Sequence, residues 1–406
     1  MKNITYIGYL SFLLLSCQSS NVIGRYSEEQ VVLLELENIK IITPKTETIK
    51  KIDLNPFLGK KHFEFGNLVN EVKIIPLETN NKSLIDGIYK IITTEEYIYI
   101  MDNFKDGGIL IFDRNGKFIK RFSHGQGPGE LSRLYDIDYD FKNDELVAYQ
   151  HSFLLFFDKV GNFLRQKRLP LGFNNLVVTD DGYIFKTLSK RGDPHLEDKR
   201  DYTLLLASKN FKLNFVALPE RKKIKALSAY TYLYKNGDLI SLTGQMTDTI
   251  YKYNSKTNEL TSEFVLNYDK KVPRKYLYGE TFETFTKATR NNDYYFNIGE
   301  YFETFSQNVF FLHNNYTELK TVVYRDKKTG NMVGGNNANL KPKEIPPIAF
   351  PKAVYKDYFV STYIPSSEDY EILKDSKTIS AEDKEKIKHS KDDDNPVLVY
   401  FKLEEF

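Results

Sequence analysis

Ile111-Phe112-Asp113-Arg114-Asn115-Gly116-Lys117-Phe118 recurs as Phe156-Phe157-Asp158-Lys159-Val160-Gly161-Asn162-Phe163, 45 residues further on. Each copy reads as a tight hairpin. A β-rich run ends in Asp. Gly supplies a positive φ, and the next strand starts on Phe. A period of this length is that of a propeller blade or solenoid unit.

Working outward, blade one reads Gly87–Ile92, Tyr97–Asp102, Gly108–Phe112 and Lys117–Phe122. Blade two repeats the plan over Leu134–Asp140, Glu145–Tyr149, Phe153–Phe157 and Asn162–Leu169. Fainter turn anchors follow at Ser208-Lys209-Asn210-Phe211, at Tyr253-Asn254-Ser255-Lys256 and over Tyr324–Gly330, carrying the count to five. A sixth blade is assembled from both ends of the chain. Lys352–Tyr355, Tyr358–Tyr363 and Val397–Lys402 supply three strands, and Glu71–Leu77, which has no hairpin partner of its own, supplies the fourth. Closing the ring in this way removes exposed sheet edges. The expected fold class is therefore all-β, a six-bladed β-propeller over residues 66–406 with small helical insertions. One insertion, 273–292, starts at Pro273 and places Tyr278, Phe282, Phe285 and Ala288 at helical spacing. The other, 366–396, reads as a charged, solvated excursion with a capping box at Ser380-Ala381-Glu382-Asp383.

The start of the chain reads as a signal, not as fold. A basic Lys2 precedes the apolar run Ile4–Leu15, which is too short to span a bilayer, and Leu14-Leu15-Ser16-Cys17 closes it. This resembles a bacterial lipoprotein signal, in which the cysteine, here the chain's single Cys17, is lipidated. The resemblance implies a lipid anchor in the outer membrane. No acidic cluster follows Cys17, which points to the periplasmic side. Residues 18–65, mixed in charge and poor in β alternation, read as a tether or N-terminal extension.

Net charge +2 with 28% charged residues excludes the concentrated basic excess of a nucleic-acid binder. The 29 Tyr and 29 Phe suit strands. A sugar-stacking surface would use the same residues, but six sheets need dozens of them as core. A monomeric propeller is expected.

At His124-Gly125-Gln126-Gly127-Pro128-Gly129-Glu130-Leu131 the chain resembles the six-bladed β-propeller lipoproteins of bacterial envelopes, relatives of NHL-repeat propellers. The resemblance is carried by Gly125–Glu130, the Phe112–Phe118 hairpin and Ile75-Pro76-Leu77-Glu78, and Tyr99-Ile100-Met101-Asp102 is similar to the NHL pattern. It covers residues 70–406 and implies fold and location more than activity. Read physically, the motif of Gly125, Gly127, Pro128, Gly129 and Glu130 is a tight crossover between blades, with Glu130 bonding to backbone amides. No Lys-Ser/Thr pair follows that would make it a phosphate cradle.

Propeller geometry places the loops between second and third strands, and the crossovers, on one end of the ring. His124, His151, His195, His313 and His389 all fall there. With Asp102, Arg133, Arg191, Asp193 and Gln245 the first four form the expected polar cup, open to acid–base or metal chemistry. No metal site is assigned. No cofactor is predicted, and calcium is the one cation the run Asp392–Asp394 suggests, although it lacks the alternating oxygens and turn glycine of a calcium loop. Nucleophile-elbow and zinc-protease motifs are missing. The expected function is a lipid-anchored binding or scaffold module for a peptide, glycan or partner protein. The alternatives are an NHL-like hydrolase or lyase with an axial cation, and a component of an envelope sensing or uptake assembly.

Overall fold

The computed structural model describes residues 26–59, 61–102, 108–187, 193–219, 233–244, 246–277, 281–314, 319–338, 345–364, 370–371 and 373–406. Six antiparallel sheets form a ring, each a blade counted here from its inner to its outer strand. Blade 1 is Ile88–Thr93, Tyr97–Asp102, Gly108–Asp113 and Phe118–Arg121; blade 2 is Leu134–Asp140, Glu145–Gln150, Phe153–Asp158 and Phe163–Arg168. Blade 3 is Asn175–Val178, Gly182–Lys186, Tyr202–Ser208 and Leu213–Pro219; blade 4 is Leu233–Asn236, Leu239–Leu242, Thr249–Asn254 and Glu259–Asn267. Blade 5 runs through Tyr301–Glu303, Gln307–Asn314, Leu319–Asp326 and Met332–Gly335. Blade 6 is Ala353–Tyr355, Tyr358–Tyr363 and Val397–Leu403, and its outer strand is Val69–Pro76. Val69 pairs with Leu403 and Pro76 with Val397, so the ring closes with the N-terminal strand the sequence predicts.

One apolar cluster fills each gap between consecutive blades, because each sheet is buried on both faces. Tyr99, Ile111, Tyr139, Leu146 and Phe157 lie between blades 1 and 2, for example, and Phe311, Tyr324, Phe359, Val399 and Phe401 between blades 5 and 6.

The repeated hairpin has a local cause. Asp113 Oδ1 accepts from the amides of Asn115 and Lys117, and Asp158 Oδ1 from those of Val160 and Asn162. Gly116 and Gly161 both sit at φ +83°. The same turn recurs in blade 3, where Phe211 occupies the glycine position at φ +69°; in blade 4 the turn is one residue longer, Asn254 accepting from the amides of Lys256 and Thr257 and Asn258 standing at φ +55°. Those changes erase the motif, so the signal is faint there.

Two expectations are corrected. The tether is not one from residue 26 on: it is a belt around the outside of the ring. Lys40–Ile42 lies parallel to Phe215–Ala217 as a fifth strand on blade 3, and Lys50–Asp53 lies parallel to Phe264–Asn267 on blade 4. His62–Phe63 pairs with Asn337–Ala338 after blade 5. Leu34, Ile52 and Leu54 are buried, and that burial holds the belt. The excursion within 366–396 is not simply solvated either. Ser380 caps helix Ala381–Ile387 as its sequence suggests, but Leu373, Ile379 and Ile387 pack into the blade 5–6 core. In the other insertion, helix Phe282–Asn292 is capped by Thr281 and buries Phe285 and Ala288; Tyr278 lies outside the described residues.

Candidate functional site

The inner strands leave a cavity of about 550 Å³ on the axis. It opens between the first hairpins of the blades, the end opposite the one where the polar cup is expected. Its walls are Lys90–Tyr97 of blade 1, Asp138, Tyr139, Phe141 and Asp144 of blade 2, Tyr234–Gly237 of blade 4, Phe305 of blade 5 and Val354–Lys356 of blade 6.

Electrostatics and sterics shape this wall together. Asp136 Oδ1 accepts from Lys90 Nζ at 2.8 Å, and its Oδ2 accepts from the amide of Leu176 at 2.7 Å. One turn of pleat further, Asp138 Oδ2 accepts from the amide of Val178 at 2.6 Å and meets Lys235 Nζ at 3.0 Å. Lys235 also donates to the carbonyls of Tyr139 and Val178. These aspartates therefore join the inner strand of blade 2 to that of blade 3 and neutralise the lysines over them. Burial pushes the Asp136 carboxyl up against the pull of Lys90. Nearer the mouth, Lys356 pairs with Glu95, and Lys159 pairs with Glu96 at 2.6 Å and Asp144 at 3.7 Å. Each lysine that lines the cavity has its acid.

Two aromatic rings break this closed pattern. Phe141 and Phe305 stand in the first turns of blades 2 and 5, opposite each other in a six-membered ring, and each is 55% exposed. Lys235 Nζ lies 5.0 Å from the Phe141 ring centre. Gly237, at φ +60°, sits beside Phe305, where a Cβ would make an ordinary contact with the ring at 3.8 Å. The arrangement presents two apolar faces over a floor of satisfied ion pairs.

None of the seven described cup residues lines this cavity. Asp102 is buried and accepts from the amides of Asp86 and Gly87. His124 is exposed, its Nδ1 donating to the Leu131 carbonyl, which pins the crossover. Arg133 and His151 are brought together on Tyr135, the one stacked at 5.3 Å and the other edge-on at 6.1 Å. Asp193 accepts from the amide of Gly172, and buried His195 donates to the Pro170 carbonyl at 2.7 Å. His313 meets Glu300 at 2.8 Å and stacks on Phe296. Arg191, Gln245 and Cys17 lie outside the described residues. Among the described residues no group of three or more His, Cys, Asp or Glu is placed to hold a metal ion.

In the crossover, the Glu130 carboxylate accepts from the amide of Gly127 at 2.8 Å. A Cβ on Gly125 would fall 2.0 Å from that carboxylate, so the glycines make its seat. The signal that sequence reading passed over is an aromatic inside a polar turn, Asp140-Phe141-Lys142-Asn143 and Thr304-Phe305-Ser306. A strand-rich chain with 29 Phe hides these two among them.

The chain is similar to a solved Bacteroides fragilis protein described as exported, at 16% identity and TM-score 0.69, over 87% of this chain and 100% of that one. That likeness shows the fold. A Bacteroides caccae protein of unknown function matches at 12% identity and TM-score 0.37, over 63% and 84% of the two chains. BamB of Moraxella catarrhalis matches at 10% and 0.33, over 66% of each. No curated protein matches the sequence. No helix among the described residues is long and apolar enough to cross a membrane. A domain family without an assigned function matches residues 49–402, from the second belt strand to the closing blade, and on that span the chain belongs to the DUF4934 family.

Proposed function

We propose that this protein is a binding module of the bacterial envelope, anchored by lipid at Cys17, exported to the periplasmic side and related to NHL-type propellers. Its ligand seat is the axial mouth between Phe141 and Phe305. The observation that carries the reading is the cavity of about 550 Å³ with exposed rings on opposite blades over internally neutralised charges. A volume of that order is usual for small-ligand sites. A neutral wall with apolar platforms favours an uncharged or zwitterionic segment, from a glycan or a peptide, over a phosphate or an oligocation.

The alternative, a hydrolase or lyase with an axial cation, needs carboxylates available to the axis. Asp136 and Asp138 are each taken by a lysine and a backbone amide, which favours binding over catalysis.

The test is a panel of neutral oligosaccharides and short peptides titrated into the protein by calorimetry. The compound that binds is expected to lose at least tenfold in affinity in Phe141→Ala/Phe305→Ala, since a stacked aromatic contributes on the order of 1–3 kcal/mol. His124→Ala/His151→Ala is expected to bind as the parent does. The reverse ranking would move the site to the other end of the ring and overturn this reading.

A further inference from the structure

The outer edges of the blades are not equivalent. Blades 3 and 4 carry belt strands as fifth strands, whereas among the described residues Phe118–Arg121 of blade 1 and Phe163–Arg168 of blade 2 carry none. Charge sets blade 4 apart from the bare pair as well. The outer strand of blade 4 presents Glu259 and Glu263, which pair with Lys45 and Lys50 of the belt. The bare edges read Lys117-Phe118-Ile119-Lys120-Arg121 and Phe163-Leu164-Arg165-Gln166-Lys167-Arg168, with no acid in either.

All four of these outer strands have a bulge, just past the outer turn in blades 1, 2 and 3 and two pairs further along in blade 4, and its extra residue differs. In blades 3 and 4 it is Asn214 and Glu263. In blades 1 and 2 it is Ile119 and Leu164, 41% and 47% exposed. A bulged, basic edge is poorly suited to pairing with another strand. Protection of the edge does not call for outward apolar residues, though, and at the belted edges, where a strand does pair, the bulged residue is polar.

Position supplies the occupant. Tyr26, the first described residue, lies on blade 2: its hydroxyl is 2.9 Å from Ser152 Oγ and its ring is 5.5 Å from the Arg168 guanidinium. Residues 18–25 span at most about 30 Å. If Cys17 holds the lipid, as proposed above, the bare edge of blade 2 is the surface nearest the bilayer.

We propose that the bare outer edge of blades 1 and 2 docks on an anionic lipid bilayer, with Lys117, Lys167 and Arg168 at the headgroups and Ile119 and Leu164 entering the interface. This stands the ring on its rim and leaves both ends of the axis open, the Phe141–Phe305 mouth included.

The test uses residues 18–406, which contain every strand of the ring and no lipid. It is sedimented with vesicles of phosphatidylethanolamine and phosphatidylglycerol, and with vesicles of phosphatidylcholine alone. Binding is expected only to the anionic vesicles, falling with added salt, and Leu164→Ser/Lys167→Glu is expected to weaken it roughly tenfold. The control Lys51→Glu/Lys256→Glu, the same kind of charge change on blade 4, is expected to bind as the parent does, and thermal unfolding checks that both variants fold. Equal binding to both vesicle types, binding to neither, or no effect of the first variant overturns the proposal. Self-association without vesicles that the first variant abolishes also overturns it, in favour of strand pairing at this edge. The anchor stands or falls separately, on the mass of Cys17 in full-length protein extracted from membranes.

Discussion

Blades 1 and 2 are made from consecutive residues, whereas blades 3 and 4 each add a parallel strand from more than 170 residues earlier in the chain. The first pair keeps Asp and Gly in its outer turn. In the second pair blade 3 puts Phe211 where Gly belongs, and blade 4, its turn one residue longer, puts Asn258 before the outer strand, each at a positive φ that disfavours a side chain. The comparison teaches that a blade of this ring is held either by its own turn chemistry or by a borrowed strand. The borrowed strands stand where the turn is least regular.

The sharpest break in that comparison is at the glycines. A Cβ on Gly116 would lie 1.9 Å from the Pro76 carbonyl oxygen, on the strand that closes the ring. Gly116→Val is expected to cost about 4 kcal/mol or more in urea unfolding, since backbone cannot yield as a side-chain tip can. Gly330→Ala, at the matching turn of blade 5 with nothing nearer than 3.6 Å, is expected to cost about 1 kcal/mol. Equal costs would mean that ring closure does not depend on the blade 1 turn.

Next in size is the belt. Leu54 is fully buried between blades 4 and 5, and Leu54→Ala is expected to cost about 2–4 kcal/mol. Hydrogen exchange is expected to quicken in Glu259–Asn267 and to stay as it is in Phe163–Arg168. Exchange that quickens equally in both would make the belt a clamp on the whole ring instead of a local staple.

Buried charge sharpens the contrast further. Lys186 of blade 3 is buried, and burial alone brings its ammonium down to about 8. The folded value lies below the unfolded one near 10.5, so stability rises as pH climbs from about 8 to 10.5, where the unfolded chain holds the extra proton. Lys186→Met is expected to raise stability at neutral pH by about 1–2 kcal/mol and to remove that slope. In blade 5, burial raises the Glu300 carboxyl, but His313 and Lys320 outweigh it and hold it at about 2. Its contribution is therefore present above pH 4.5 and lost as pH falls from there towards 2. Glu300→Gln is expected to flatten the acid limb of a stability–pH curve, the smallest of these effects because His313 and Lys320 remain partly solvated.

How much was legible differs by region for the same reason. The hairpins of blades 1 and 2 and the Glu71–Leu77 closure were open to reading, because Asp–amide bonds, a left-handed Gly and period-two alternation are all written within a few residues. Lys40–Ile42 and Lys50–Asp53 were not. A three- or four-residue strand that pairs in parallel with a distant edge has no turn beside it and at most one buried position to alternate. The candidate site differs in legibility for another reason. Histidine positions point to the crossover end, where the structure takes Asp102, Asp193, His195 and His313 into local bonds, while Phe141 and Phe305 look like core residues of a Phe-rich chain.

By itself the sequence determined the blade length, the six-part ring and the strand that closes it, since these follow from turn residues and alternation that act locally. Only the tertiary structure decided that the N-terminal segment is a belt, and that the cavity opens among the first hairpins. Both depend on which distant backbones come within hydrogen-bonding reach and on which side chains converge across the axis, and neither property belongs to any single stretch of chain.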